Sequence, residues 1–222
     1  MSGKQIGFAI ALIGQKAAGK SEAARYFQQI ATNPFAGSFE FQIFRLSDPL
    51  REIARQRGVE NPTTNLLQDI GDELRATHGS GALAKMVLEM ALENGQDYNN
   101  FVIIDGVRNP GEMQEIRRAT DNRCVFIGVT ANQLIRFKRF KKREEERDGG
   151  AIALKDFRQL DRRDKGYGQD ENGQRVNDCL KEVSPDCLIA NNGDLWQFKH
   201  KLHNIWINRI NVDLLETGPG YS

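Results

Sequence analysis

The sequence has no long hydrophobic run, few cysteines and no excess of charge of either sign. No stretch approaches the ~18 apolar residues that a membrane-spanning helix needs. The three cysteines, Cys124, Cys179 and Cys187, show neither a CxxC pair nor another metal-binding spacing. Their odd number fits reduced thiols better than a disulfide scaffold. We therefore expect a cytoplasmic protein that does not associate with a membrane.

The charge balance argues against nucleic acid as the partner. The 222 residues include 31 Lys and Arg against 30 Asp and Glu, which gives a net charge of +1. The chain as a whole therefore has no strong positive field, although the net charge does not exclude local basic patches. With 39% hydrophobic and 27% charged residues, the composition predicts one globular domain spanning residues 1–222. The sequence leaves open whether the chain forms a homo-oligomer.

The N-terminal apolar run, residues 6–13, has two interpretations. Lys4 precedes it, so it resembles a short signal peptide. The run ends, however, in a glycine loop with two lysines rather than in a small-residue cleavage site. A buried parallel strand that feeds a phosphate-binding loop explains all of it.

Hydrophobic periodicity predicts strands that alternate with helices. The predicted strands cover residues 6–13, 41–46, 101–104, 124–129 and 187–190. The predicted helices cover residues 19–30, 48–57, 63–77, 80–93, 110–119, 132–147 and 195–210. This alternation predicts an α/β fold with three layers, α/β/α, around a five-stranded parallel sheet. Ligands bind such sheets at the carboxyl ends of the strands.

The motif G-x-x-x-x-G-K-S at residues 14–21 predicts a P-loop. Its glycines let the backbone curl, so that successive N–H groups point at phosphate oxygens at the start of a helix. Lys20 would reach the β- and γ-phosphates of ATP, or of GTP, and Ser21 would offer its hydroxyl to Mg²⁺. The alternative is an ordinary glycine turn. The predicted nucleotide-binding residues are Gly14, Gln15, Lys16, Ala17, Ala18, Gly19, Lys20 and Ser21.

An acidic residue ends the apolar strand within VIIDGVR. Asp105 would lie beside the P-loop and orient Mg²⁺ or its water, or it is simply a turn residue before Gly106. Arg108 is placed to hold the anionic group of an acceptor. The alternative for Arg108 is a surface arginine.

The segment SDPLR gives a third set of candidates. Asp48 would face the same crevice and accept a hydroxyl proton or help to bind the metal. A helix cap is the alternative for Asp48. Arg51, one turn on, would contact an acceptor phosphate, and Arg75 adds a further cation for an anionic acceptor. The helices of residues 48–95 are therefore the predicted acceptor-binding part.

A stripe of arginines, Arg136, Arg139 and Arg143, lies at the spacing i, i+3, i+7. Such a stripe is usually a solvated face, and the glutamates of residues 144–146 would screen it. Arginines on a closing lid, however, stabilise the charge of a transferred phosphoryl group and exclude water. Residues 136–185 are the predicted helical lid. Its further arginines, interpreted as solvated surface, are Arg158, Arg162 and Arg163.

Asn191 follows the last predicted strand, in Asn-Asn-Gly. An asparagine in this position can contact the edge of an adenine, and the glycine permits close approach. A simple turn is the alternative.

These motifs, in this order, resemble the dephospho-CoA kinase and nucleoside monophosphate kinase group of P-loop kinases, which includes archaeal adenylate kinase-like proteins. The segments that carry the resemblance are SDPLREIA, VIIDGVRNPGEMQEIR, RFKRFKKR and IANNGDLWQF. The chain departs from adenylate kinases in lacking a proline before Arg108. It departs from dephospho-CoA kinases in the length of residues 63–93.

The resemblance implies roles for individual residues. Lys20 and Ser21 would contact ATP and Mg²⁺, and Asp48 would lie beside the reacting oxygen. Arg51 and Arg108 would contact the acceptor. Arg139 and Arg143 would contact the transferred phosphate, and Asn191 would lie at the nucleotide base.

Our hypothesis is an ATP- and Mg²⁺-dependent kinase that phosphorylates a small nucleotide-like acceptor. A nucleoside or deoxynucleoside monophosphate is the first acceptor and dephospho-CoA the second. The alternative is a module that binds and hydrolyses a nucleoside triphosphate and acts through a protein partner. A nucleic-acid end kinase is a third hypothesis, against which the near-neutral net charge argues.

Overall fold

Five strands form one parallel sheet in the computed structural model, which describes residues 5–32, 39–94, 100–148 and 152–217. The order across the sheet is β2-β3-β1-β4-β5, and every neighbouring pair is parallel. The strands are β1 (Ile6–Ile13), β2 (Phe41–Arg45), β3 (Asn100–Val107), β4 (Cys124–Thr130) and β5 (Leu188–Ala190). The predicted fold class is confirmed.

The central strand is the one that the sequence predicts best. β1 lies between β3 and β4, and it is apolar on both faces because helices cover both sides of the sheet. Strands on its two sides are reached by crossovers in opposite directions, so a crevice opens beyond its carboxyl end. The loop of residues 14–21 starts at this point.

β3 is longer than predicted. Its pairing with β1 continues past Ile104 to Asp105 and Val107, with an irregularity in the register at Gly106. All eight residues of the strand are buried. The predicted strand ended before Asp105 and Gly106, whereas the structure includes both residues in β3.

Helices cover both faces of the sheet. They are α1 (Lys20–Ala31), α2 (Asp48–Gln56), α3 (Thr64–His78), α4 (Ala82–Asn94), α5 (Pro110–Ala119), α6 (Gln133–Asp148), α7 (Leu154–Lys165), α8 (Val176–Lys181), α9 (Leu195–Ile205) and α10 (Asn211–Thr217). A π-helical turn at Trp206–Ile210 joins the last two. One group, α1 and α9, packs together, and a second group, α4, α5 and α8, packs against β3 and β1. No helix in the described ranges is long and apolar enough to cross a membrane.

The helices α6 and α7 have a small apolar cluster of their own. It consists of Phe140, Phe157 and Leu160, and it is separate from the main core. Ala17 of the P-loop packs against it. This cluster, which we call the α6–α7 cluster, therefore holds the two helices over the P-loop. Residues 149–151 of the predicted lid lie outside the described residues.

The backbone of the loop after β1 requires glycine at its first position. Gly14 has a φ of 156°, and a Cβ added there would lie 2.0 Å from the carbonyl oxygen of Val129. Gly19 has a φ of 117° and Ala17 a φ of 59°, so the loop alternates through left-handed conformations. This path lets the loop pack directly onto β4.

A pair of alanine substitutions at the two ends of β1 tests this packing. Gly14→Ala should lower the free energy of unfolding by about 2 kcal/mol or more, because its Cβ has no space. Gly7→Ala is the matched control, since its Cβ would meet nothing closer than 3.5 Å. The control should change stability by no more than about 1 kcal/mol. Urea unfolding measures both, and equal midpoints would contradict the close packing.

Candidate functional site

A cavity of 820 Å³ opens at the carboxyl edge of the sheet. Its wall includes the P-loop, the start of α2, the middle of α3, the end of β3 and one side of α6. A volume of this size accommodates a small-molecule ligand. The arginines that line it are Arg25, Arg45, Arg51, Arg75, Arg108, Arg139 and Arg143. The structure thus brings the predicted phosphate, acceptor and lid residues to one cavity.

Lys20 lies in the floor of this cavity. Its Nζ donates to the carbonyl oxygens of Gly14 at 2.7 Å and Gln15 at 3.2 Å. Burial, together with the positive charge of Arg108, lowers its pKa to about 7, although Asp105 opposes the shift. The pKa of Lys16 is also lowered, first by burial and then by Arg108 and Lys20. The cavity is therefore rich in buried positive charge.

Ser21 and Asp105 meet beside Lys20. The Ser21 hydroxyl donates to Oδ2 of Asp105 at 2.7 Å. Asp105 is 6% exposed and lies within β3, two residues before the strand ends. A hydroxyl and a carboxylate oxygen this close are hard oxygen ligands of the kind that Mg²⁺ prefers. The described residues contain no cluster of three or more His, Cys, Asp or Glu that would hold a metal by itself.

The predicted acceptor residues of α2 face the same cavity. Asp48 and Arg51 both line it. Ser47 occupies the N-cap position of α2, and Asp48 is the first helical residue. Asp48 is therefore not the N-cap residue, and its carboxylate lies at the cavity wall.

Arg75 is held by carboxylates. Its side chain is 1% exposed, and Nε and Nη2 donate to Oε1 of Glu112 at 3.0 and 2.9 Å. Nη1 donates to Asp72 at 3.2 Å. The second oxygen of Glu112 accepts from the backbone N–H groups of Arg108 at 2.6 Å and Asn109 at 3.1 Å. Arg75 thus positions the turn after β3 while it lines the cavity.

Arg108 pairs with α7. Its Nη1 donates to Oδ1 of Asp164, and at 3.4 Å to the side-chain oxygen of Gln174. Oδ2 of Asp164 accepts from the backbone N–H of Lys16 at 2.9 Å. The Asp164 side chain is fully buried. A carboxylate of α7 therefore contacts both the P-loop and a predicted acceptor residue.

The three arginines of the predicted stripe do not share one environment. Arg136 is 2% exposed and binds Asp161 through both terminal nitrogens, at 3.0 Å from Nη2 to Oδ2. Arg136 also donates to the carbonyl oxygens of Ala131 at 2.9 Å and Lys16 at 3.3 Å. Arg139 and Arg143 line the cavity instead. Arg136 is therefore a structural link from α6 to α7 and the P-loop.

Asn191 is hydrogen-bonded to the P-loop. Its Nδ2 donates to the carbonyl oxygen of Ala18 at 2.8 Å, and its Oδ1 accepts from Arg139 at 3.4 Å. A Cβ at Gly19 would lie 2.5 Å from the same Nδ2, which explains the glycine there. The side chain thus joins the end of β5 to the loop.

The chain is similar over most of its length to a curated protein of Methanosarcina mazei named UPF0200 protein. The two are 27% identical over 205 residues, which are 92% of this chain and 97% of the relative. A UPF0200 protein of Hyperthermus butylicus is 32% identical over 133 residues, which are 60% of this chain and 67% of that protein. The chain belongs to the UPF0200 family. No family model matches it.

A structural comparison agrees with the fold. The UPF0200 chain is similar to Kti12 of Chaetomium thermophilum, solved in complex with ADP-AlF3, with a TM-score of 0.52. The sequences are 16% identical, and the match covers 90% of this chain and 97% of that chain. At this identity the likeness shows the fold alone.

Several buried groups of the site were absent from the sequence predictions. Asp161 and Asp164 share one stripe of α7 with Phe157 and Leu160, at the spacing i, i+3, i+4, i+7. That pattern marks the face as buried, and it was a signal available in the sequence. Arg163, which was interpreted as solvated surface, is 27% exposed and also contacts Asp69 and Asp72 of α3 at 2.7 Å each.

The role of Arg136 as a structural link can be measured in this UPF0200 chain. Arg136→Met should lower the free energy of unfolding by about 3 kcal/mol, because it removes the two-nitrogen partner of buried Asp161 and leaves that carboxylate only Gln133 and Lys165. Lys142→Met is the matched control on the same helix, since its pair with Glu146 is exposed, at 3.8 Å. The control should change stability by less than about 1 kcal/mol. If both variants unfold at the same denaturant concentration, Arg136 is not the link.

Proposed function

We propose that the chain is an ATP- and Mg²⁺-dependent kinase that transfers the γ-phosphoryl group to a small nucleotide-like acceptor. A nucleoside or deoxynucleoside monophosphate is the first acceptor and dephospho-CoA the second. The observation that carries the proposal is one cavity that runs from the P-loop to Asp48 and Arg51 on α2. A donor phosphate and an acceptor anion can therefore lie in the same cavity.

The donor end of the cavity is assigned to ATP. The P-loop N–H groups and Lys20 would bind the phosphates, with GTP as a second donor of the same chemistry. Ser21 and Asp105 would hold Mg²⁺, because they already present adjacent oxygens. When bound, the ion neutralises charge on the phosphate oxygens and orients them. Asn191, which donates to the carbonyl oxygen of Ala18, would lie on the base side.

The acceptor end is assigned to α2, α3 and the turn after β3. Arg51, Arg75 and Arg108 provide the positive charge for an anionic acceptor. Whether Asp48 would act as a base depends on the acceptor. A hydroxyl acceptor such as dephospho-CoA needs a base for its proton, whereas a monophosphate oxygen is already ionised at neutral pH.

The lid is assigned to residues 136–185. Arg143 lines the cavity, and α7 lies against the P-loop through Asp164. Arg139 and Arg143 would stabilise charge on the phosphoryl group during transfer, and α7 would exclude water that hydrolyses ATP.

The alternative is a nucleotide-hydrolysing module that acts through a protein partner. The pairing of Arg75 with Glu112 and of Arg108 with Asp164 favours it, because both arginines already have carboxylate partners. The convergence of seven arginines on one cavity favours the kinase. The two functions differ in whether the phosphoryl group reaches an acceptor other than water.

A transfer assay tests the proposal. Purified protein with γ-labelled ATP and Mg²⁺ should label a member of a panel of ribo- and deoxyribonucleoside monophosphates and dephospho-CoA. Lys20→Met should reduce transfer by about 100-fold or more, because it removes a charge aimed at the transferred group. Release of labelled phosphate without any labelled acceptor would favour the alternative and exclude the kinase.

Arg51 offers a sharper test of the acceptor end. Arg51→Gln should raise the KM for the acceptor by about tenfold while the KM for ATP stays within about twofold. Arg55→Gln is the control one turn on, where the exposed arginine pairs with Glu52. Equal effects of the two substitutions on the acceptor KM would remove Arg51 from the acceptor site.

The depressed pKa of Lys20 makes nucleotide binding a proton-linked reaction. The pKa is about 7 without ligand, so much of Lys20 is neutral at pH 8, and phosphate binding favours the charged form. Binding of ADP at pH 8 should take up as much as about one proton, and ADP affinity should fall as pH rises above about 7. Calorimetry in buffers of different ionisation enthalpy measures the uptake.

Lys20→Arg is the control for this linkage, because arginine keeps its charge in this range. The variant should take up fewer protons than the native protein. Binding of ADP by the native protein without proton uptake would contradict the pKa assignment.

A further inference from the structure

A carboxylate of the chain itself contacts the P-loop. Asp164, near the end of α7, contributes a fully buried carboxylate. Its Oδ2 accepts the backbone N–H of Lys16 at 2.9 Å, and its Oδ1 accepts from Nη1 of Arg108. The aspartate and the loop residue are 148 positions apart, so the contact arises from the fold and not from local structure.

The donors around Asp164 are of the kind that bind phosphoryl oxygens. Backbone N–H groups of a P-loop and the fork of an arginine are the usual partners of phosphate. Positive groups predominate around Lys16. After burial as the main cause, Arg108, Lys20 and Arg143 each lower the pKa of Lys16, whereas Glu144 raises it. An anion with more charge than a carboxylate would therefore be favoured at this position.

We propose that the Lys16 N–H and Arg108 form a phosphoryl subsite, and that Asp164 fills it until a phosphoryl group displaces the carboxylate. The subsite would be part of the proposed kinase site, and its role in the cell rests on that proposed function. The group that enters is either the γ-phosphate of the donor or the phosphate of the acceptor. Both have the same chemistry, which is a tetrahedral oxyanion of charge near −2.

The position of Asp164 on α7 allows this exchange. The helix ends at Lys165, and Gly166 follows in the left-handed conformation, with a φ of 102°. Asp161, three residues before Asp164, is tied to Arg136 of α6 and also contacts Lys165 at 2.9 Å. Displacement of the Asp164 carboxylate would therefore rearrange the last turn of α7, while Asp161 keeps the helix attached to α6.

The exchange would connect the two ends of the cavity. Arg163, next to Asp164, binds Asp69 and Asp72 of α3. Asp72 also contacts Arg75 at the acceptor end. A phosphoryl group that displaces Asp164 would thus change the contact of the lid with α3, so that occupancy of the subsite is transmitted to the acceptor helices.

Asp164→Asn tests the proposal, because it keeps the size of the side chain and removes the competing charge. At fixed ionic strength the variant should bind inorganic phosphate about tenfold more tightly than the native protein. Asp156→Asn is the matched control, since this exposed aspartate lies on the same helix. The control should stay within about twofold of the native protein. Unchanged or weaker phosphate binding by Asp164→Asn would overturn the subsite.

Three further ligands identify the source of the phosphoryl group. If the γ-phosphate uses the subsite, Asp164→Asn binds a non-hydrolysable ATP analogue more tightly and ADP no differently. If the acceptor uses it, the gain appears with a nucleoside monophosphate. None of these measurements needs phosphoryl transfer, so failure of the kinase assay and failure of the subsite are separate results.

A measurement on the native protein covers the case in which the variant fails to fold. In a phosphate titration followed by nuclear magnetic resonance, the Lys16 amide and the Asp164 carboxyl carbon should shift together with one dissociation constant. A Lys16 shift without any Asp164 shift would show that phosphate binds without displacing the carboxylate, and the proposal would be wrong.

Discussion

Buried positive charge at the end of β1 is the constraint on which the site depends. The P-loop and its surroundings bring Lys16, Lys20 and Arg108 into a cavity where burial lowers the pKa of both lysines. Cations in such a place need partners, because an uncompensated buried charge is costly. The partners come from different elements: Asp105 on β3 favours the charged form of Lys20, and Asp164 on α7 binds Arg108. Charge balance thus attaches α7 to the sheet.

The fold follows from patterns that are local in the sequence. The ends of β1 match the prediction, because a strand buried on both faces is a continuous apolar run that stops at a glycine. β3 was predicted too short, since Asp105 and Gly106 look like a turn, although neighbouring strands on both sides keep them in the sheet. The last helix was predicted correctly as far as Ile210, but no residue pattern indicated the π-helical turn within it.

The site was predictable only where its chemistry is local. The spacing of the P-loop defines its own backbone path, and Asp105 follows from its place at the end of an apolar run. The arginine stripe shows the limit, because a shared helical face suggested a shared role. Burial separates them, with Arg136 inside an ion pair and Arg139 at the cavity wall. Ion pairs such as this one join residues 25 positions apart, and no sequence period specifies the partner.

The internal carboxylate bears on the choice between kinase and regulatory module. In both proposed functions, a phosphate group would enter among cations that the chain balances with its own carboxylates. The functions diverge only at the other end of the cavity, where Asp48 and Arg51 lie on a helix that does not contribute to the P-loop. A module that only senses a nucleotide has no need for a carboxylate and an arginine there. Their presence in the same cavity is the reason to regard the nucleotide as a donor.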